Sequence, residues 1–433
     1  MGIPRGKKYL PSLPTWIRRS PGLRVAGIAL VLWVLHVVTV KKDPLFSSPL
    51  VALQPHALIF GEYGSMTGSE STFGVSTHMG ILLALEEANQ AGGVDGRHIS
   101  LLVYDDQGRS DEAITAVSKL ITLDKAILIL GEVASPRSIA GASVAQQFGI
   151  PMISPSSTSP LVTQMGDKIF RVCFTDPFQG FVMAKFAFAH LHLRRGALFR
   201  DIRSDYSVGL CEVFSDVFRK LGGTIVAEAG YAEGDLDFRA QLRRMMASNP
   251  EFIFVPGYYT EVGLIARQAE EVHFKGALLG GDGWDSEQLY AIGGNAIVGH
   301  FFANHYSDQD PSGRVRGFID RYKRRFGQVP SGLAAMGYDA ALVALDAVKR
   351  AHGKTDPQSL VTALLETRNY PGVTGNISIN SNRDADKPAI ILRVEKDATY
   401  SPAAVIESRE LTEFQQQTAP AKGASHSLEG SSQ

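Results

Sequence analysis

Cysteine is nearly missing from this chain: Cys173 and Cys211 are the only two in 433 residues. That excludes a disulfide framework, and because neither cysteine follows the apolar N-terminal run, it excludes attachment through a lipid-modified cysteine. Two isolated buried thiols are favoured, although an oxidising compartment would allow one disulfide. Catalytic signatures are missing as well. There is no G-x-S-x-G, no H-E-x-x-H, no P-loop and no glycine fingerprint after the first expected strand, and the eleven histidines are scattered. No enzymatic activity, metal site or cofactor is therefore expected. Collagen-like and coiled-coil repeats are also lacking, which excludes a fibrous chain. Neither sign of charge is in excess, since 43 Lys and Arg oppose 44 Asp and Glu.

The overall balance conceals a basic start. Residues 1–54 hold eight of the basic residues and one of the acidic ones, leaving 35 against 43, or about −8, for the remainder. A mildly acidic body argues against nucleic acid as a partner. Arg5, Lys7, Lys8, Arg18, Arg19 and Arg24 precede an uncharged apolar run of 16 residues from Val25 to Val40, which marks export. The run is short for a full membrane span and long for a signal core, so a cleaved signal peptide and an uncleaved N-terminal membrane anchor both stay open. The charge distribution places the body in the periplasm or on the extracytoplasmic face, anchored in the inner membrane if the segment is kept. From Glu410 onward Gln, Ser, Ala and Gly dominate, and residues 409–433 are expected to be a disordered tail.

Between these ends the chain exceeds the size of one hydrophobic core, and its 43 glycines and 21 prolines suit many tight strand-to-helix connections. Short apolar runs alternate with amphipathic stretches: Ala57–Phe60 then Val75–Gln90, Ile99–Val103 then Asp111–Leu123, Ala126–Leu130 then Ser138–Phe148. The alternation restarts after Pro177 with Ala197–Phe199, Thr224–Ala229, Phe252–Val255 and Ala277–Gly280 as strands and helices between them. This is the pattern of two α/β units, each a doubly wound parallel sheet. Helices expected over Gly313–Phe326 and Ala334–Ala351 have no strand of their own in the second unit. They are read as returning to the first, so that several crossings form a multi-strand hinge. The expected organisation is 1–54 as basic N-terminus and signal or anchor, 55–175 with 304–379 as one lobe, and 176–303 with 380–408 as the other.

Ligands of open parallel sheets sit at the carboxyl ends of strands, so the loops after the expected strands are where a site belongs. Those loops carry GSMTG, ALEEANQAGGVDGR, VYDDQ, ISPSSTSP, FRVCFTDPFQG, Asp205-Tyr206-Ser207-Val208-Gly209, PGYYTEVG and GGDGWDS in this order. Over about residues 57 to 400 the chain resembles the branched-chain amino-acid binding proteins of bacterial ABC importers, which have the type I periplasmic-binding-protein fold.

The resemblance implies a solute-binding protein that captures an amino acid between its lobes and delivers it to an ABC permease. It implies that Ser135, Ser156 and Thr158 receive the ligand's α-carboxylate through hydroxyls and backbone N–H groups, with Ser157 of the same hydroxyl cluster also counted among the ligand-binding residues. It gives Asp282 to the α-ammonium, and Tyr206, Tyr258 and Phe73 to the cleft walls. Tyr259 and Trp284 are further aromatic candidates, while Asp176 and Gln179 belong to the crossover. A membrane-anchored sensing ectodomain, or the same fold holding an amide, urea or aromatic acid, is the alternative.

Overall fold

The computed structural model describes residues 56–418. The expected signal or anchor segment and residues 419–433 lie outside the described residues, and among those described no helix is long and apolar enough to cross a membrane. The first sheet is wholly parallel in the order β2-β1-β3-β4-β5, from β1 (Leu58–Gly64), β2 (Ile99–Asp105), β3 (Leu128–Leu130), β4 (Met152–Ser154) and β5 (Ile169–Arg171). Its connections are α1 (Ser71–Gln90), α2 (Ser110–Thr122), α3 (Ser135–Phe148) and the single turn α4 (Leu161–Gln164). Local chemistry sets these boundaries. Asp111 and Glu112 open α2 and Lys119 stands in its last turn, matching the helix dipole, while Ala113, Val117 and Leu120 face the core. Beyond α1, Gly92 and Gly93 take φ of 98° and 78°, a turn that side-chain-bearing residues resist.

The second sheet departs from the sequence expectation. β6 (Arg195–Asp201), β7 (Thr224–Tyr231), β8 (Phe252–Phe254), β9 (Ala277–Gly280) and β10 (Phe301–Asn304) are parallel in the order β7-β6-β8-β9-β10. Two later strands, β14 (Ala389–Val394) and β15 (Tyr400–Ile406), then extend it antiparallel beyond β10. The hairpin needs no crossover helix, so it left no strand-helix alternation to read. Helices α5 (Asp176–Lys185), α6 (Asp205–Lys220), α7 (Arg239–Met246), α8 (Tyr259–Glu271) and α9 (Glu287–Gly293) surround this sheet. A small antiparallel sheet, β11 (Tyr370–Gly372), β12 (Gly375–Ile379) and β13 (Ala385–Asp386), follows α10 (Gly313–Phe326), α11 (Gly332–Arg350) and α12 (Pro357–Leu365).

The expected disorder from residue 409 does not hold at its start. Ser408–Thr418 forms the helix α13, whose Glu410 pairs with Lys185 and whose Phe414 ring lies 5.3 Å from that of Phe181. Leu411 and Phe414 supply the apolar contacts that a polar-looking composition hid. Cys173 and Cys211 are both buried and unpaired, and burial pushes the Cys173 thiol up to about 12.

The chain passes between the two sheets three times: at residues 172–175, at 305–312 and at 387–388. The second passage leads α10 and α11 back onto α1. α1 and α11 meet backbone to backbone, because a Cβ on Gly80 would stand 1.9 Å from the Ala334 carbonyl oxygen and one on Gly337 would stand 2.3 Å from that of Thr77. Gly80→Ala would gain helix propensity of up to about 1 kcal/mol. The overlap outweighs it, and the variant is expected to lose about 1–3 kcal/mol of stability, seen as a lower urea midpoint at unchanged slope.

Candidate ligand-binding site

A narrow cavity lies where the carboxyl-end loops of both sheets converge. From the first sheet, the turn after β1 brings Phe73 in the opening turn of α1, β3 leads to Ser135 at the first position of α3, and the loop after β4 brings Ser156 and Thr158. From the second, β6 leads to Tyr206 in the first turn of α6, β8 to Tyr258 just before α8, and β9 to Asp282. Seven of the eight residues expected from the sequence therefore line one cavity. Val133, Gly283 and Leu333 line it too and were not anticipated. Leu333 was missed because α11 begins before Ala334, where the apolar pattern had placed its start.

Ser157 is the exception and does not line the cavity. Its hydroxyl sits 2.8 Å from the Val133 carbonyl oxygen and 2.6 Å from Ser138 Oγ, tying two loops together behind the cavity. Trp284 and Tyr259 also serve elsewhere. The Trp284 indole donates to the Val255 carbonyl at 2.9 Å inside the core, and Tyr259 donates from its hydroxyl to the Ser69 carbonyl at 2.9 Å, joining the two sides at the rim.

The walls differ in chemistry. Tyr206 and Tyr258 stack with ring planes 8° apart and centroids 5.6 Å apart, and Phe73 meets the Tyr258 ring edge-on at 5.4 Å. With Val133 and Leu333 they make an apolar enclosure. On the first-sheet side Ser135 Oγ accepts the Ser159 N–H at 3.2 Å, leaving its own proton to donate. Ser156 Oγ and the Tyr258 hydroxyl are buried without a hydrogen-bond partner among the described residues. Buried polar atoms are almost always paired in native structures, so the Ser156 hydroxyl keeps hydrogen-bonding capacity to spare beside the cavity.

Asp282 stands opposite. Gln179 on α5 donates from Nε2 to its Oδ1 at 2.9 Å and accepts its backbone N–H at 3.0 Å, while His305 Nε2 lies 3.2 Å from Oδ2. Gly281 permits this approach, since a Cβ there would stand 2.1 Å from Gln179 Oε1 and 2.2 Å from the Tyr206 hydroxyl. The Asp282 side chain caps no helix, because α9 is capped by Ser286, whose hydroxyl accepts the Gln288 N–H. Gln179 was legible only as a crossover residue, and His305 gave no signal, because the strand before it was not among those expected from the sequence.

Behind the hydroxyl loop, Arg171 is fully buried and donates to the carbonyls of Ser157 at 2.6 Å and Ser159 at 2.8 Å. Its Nε lies 2.7 Å from Asp384 Oδ1, in the segment that leads into the third passage. Asp176 lies beside Thr158 with neither carboxyl oxygen hydrogen-bonded among the described residues. Burial raises its carboxyl to about 8, the Thr158 hydroxyl working against the rise and the Asp282 charge adding to it.

Two α/β sheets joined by three passages, with a cavity made from the strand-end loops of both, define a two-lobed ligand-binding protein. Residues 60–399 match the periplasmic binding protein family, and the chain belongs to that family of solute-binding proteins. Among curated relatives, the leucine-, isoleucine-, valine-, threonine- and alanine-binding protein of Pseudomonas aeruginosa is 28 % identical over 340 residues, covering 78 % of this chain and 89 % of its own length. Among solved structures, a leucine binding protein from Thermotoga maritima is similar with a TM-score of 0.78 and 38 % identity, covering 82 % of this chain and all of that one. The branched-chain amino acid transporter substrate binding protein from Streptococcus pneumoniae, in complex with isoleucine, gives a TM-score of 0.77 at 29 % identity and covers 81 % of this chain and 99 % of its own.

Asp176 yields a pH prediction. Its folded-state pKa, about 8, lies above that of an unfolded carboxylate, so its contribution to stability is complete in acid and is lost as pH rises toward 8. Urea unfolding between pH 5 and 8 is expected to show a stability decline that is shallower in Asp176→Asn, by up to about 1.4 kcal/mol per pH unit.

Proposed function

We propose that this protein captures a free amino acid of the leucine, isoleucine or valine type between its lobes, outside the cytoplasm, and presents it to an ABC permease. The observation that carries the reading is the opposition across one small cavity of a buried carboxylate, Asp282, and donor hydroxyls with capacity to spare. That is the charge complement of an α-amino acid: Ser135, Ser156 and Thr158 meet the carboxylate, and Asp282 meets the ammonium. Phe73, Val133, Leu333 and the two tyrosine rings then enclose an aliphatic side chain. What the relatives bind, by their names, agrees with this class.

The reading keeps residues 55–175 with 304–379 as one moving body and 176–303 with 380–408 as the other. The ligand favours closure because only the closed arrangement gives it contacts from both sides. Export rests on the basic residues and apolar run before residue 41.

The test is thermal unfolding of refolded, ligand-stripped protein against amino acids, amides, urea and aromatic acids. Leucine at 100 times its dissociation constant is expected to add about 2.7 kcal/mol of stability. In titrations, Asp282→Asn is expected to weaken leucine binding by about 2–5 kcal/mol, as for one partner of a buried charged pair. Ser135→Ala with Thr158→Ala is expected to weaken carboxylate-bearing ligands while leaving the melting temperature of the ligand-free protein nearly unchanged. A shift with aromatic acids or amides alone would discard the amino-acid reading, and a shift with nothing would favour a sensing ectodomain.

A further inference from the structure

Asp282 is one methylene shorter than a glutamate, so its reach into the cavity depends on how it is held from behind. Both oxygens are held: Oδ1 by the Gln179 amide at 2.9 Å and Oδ2 by the His305 ring nitrogen at 3.2 Å. A carboxylate oxygen accepts about two hydrogen bonds, so each keeps one lone pair free for a further donor. His305 lies in the second passage between the sheets, 2 % exposed, with its backbone N–H donating to Asn304 Oδ1 at 2.7 Å and its ring against Phe174, centroids 3.7 Å apart. The ring has little freedom to turn away from Asp282.

We infer that His305 is a specificity-determining positioning residue, a neutral hydrogen-bond donor that orients the Asp282 carboxylate toward a ligand ammonium without neutralising it. The inference rests on the amino-acid reading of the site. A protonated imidazole would form an ion pair with Asp282 and satisfy the charge that the ligand's ammonium must meet. Burial holds the ring below the ordinary histidine range; the Asp282 charge opposes this, and the nearby Lys387 ammonium acts in the same direction as burial. A neutral ring can donate to Oδ2 only from Nε2, which leaves Nδ1 as an acceptor, and Nδ1 has no hydrogen-bond partner among the described residues. The consequence is selectivity for ligands that carry an ammonium over those that share only the carboxylate and side chain.

The test compares leucine with 4-methyl-2-oxopentanoate, which has the same carboxylate and side chain and no ammonium, by isothermal titration. His305→Phe keeps the ring beside Phe174 and removes the donor. Its leucine affinity is expected to fall about 10- to 100-fold, the range for losing one hydrogen bond to a charged group, with the oxo acid unchanged. His305→Gln restores an N–H and is expected to recover most of the preference. An unchanged preference in His305→Phe, or an equal loss for both ligands, overturns the inference. Should neither variant fold, the imidazole nitrogen shifts of the wild type decide: a neutral Nε2–H ring that does not titrate between pH 5 and 8 is expected, and a ring that titrates freely overturns it. A wild type that prefers neither compound, matched by Asp282→Asn, removes the ammonium site and this inference together. That failure is distinct from one confined to His305.

Discussion

The arrangement depends on keeping one carboxylate, Asp282, buried at the meeting of two lobes without a permanent cation beside it. Leaving a charge out of water without partners is expensive, and the protein offsets this with two neutral donors rather than a salt bridge. Gln179 reaches Asp282 from the helix that begins just after the first passage between the sheets, and His305 reaches it from the second passage. The anchor of one wall is thereby bonded to the segments that pass between the two sheets. The opposite wall has a parallel device, because Arg171 grips the loop of Ser156 and Thr158 and pairs with Asp384 close to the third passage.

Behind the cavity the first lobe buries an unusual density of acid. Arg137 pairs with Glu70 and, at 3.2 Å, with Glu132, and Ser65 Oγ lies within 2.9 Å of both Asp106 Oδ1 and Glu132 Oε1. His78 meets Glu62 at 2.8 Å in the same region. Burial raises the Glu70 and Asp106 carboxyls to about 7, with Arg137 opposing the rise in both and Glu132 adding to it in Asp106. One arginine shared among several acids fixes the turns after β1, β2 and β3 relative to one another. It thereby fixes Phe73 and Ser135, which leave those turns on α1 and α3. The polar wall is rigid because its support is a connected network and not a set of separate turns.

The passages between the sheets carry a second buried pairing. Lys387 is 2 % exposed, bonds to Thr374 Oγ1, and lies near Asp339, whose carboxylate accepts the Val373 N–H at 2.8 Å and the Thr374 N–H at 2.9 Å. Burial brings the Lys387 amine down to about 8, with the Asp339 charge resisting. A lysine placed where β13 gives way to β14 joins the small sheet to the long helix α11 at the point where the chain leaves one sheet for the other.

The sequence by itself determined the parallel core and the place of the site. Strand-helix alternation has a period that can be counted, and the ends of parallel strands are where ligands bind, so the loops were legible; the choice of Phe73, Ser135, Ser156, Thr158, Tyr206, Tyr258 and Asp282 came from the family resemblance. Composition misled where helix α13 uses only Leu411 and Phe414 to dock, and where the hairpin of β14 and β15 needs no crossover. Tertiary structure alone decided the direction in which each side chain points. Ser156 and Ser157 are neighbours in one polar turn, yet one opens on the cavity and the other ties two loops together behind it. Leu333 reaches the cavity from far along the chain, brought there by the return of α11 onto α1, and His305 reaches Asp282 from the second passage. No local pattern encodes such contacts, because packing between distant elements creates them.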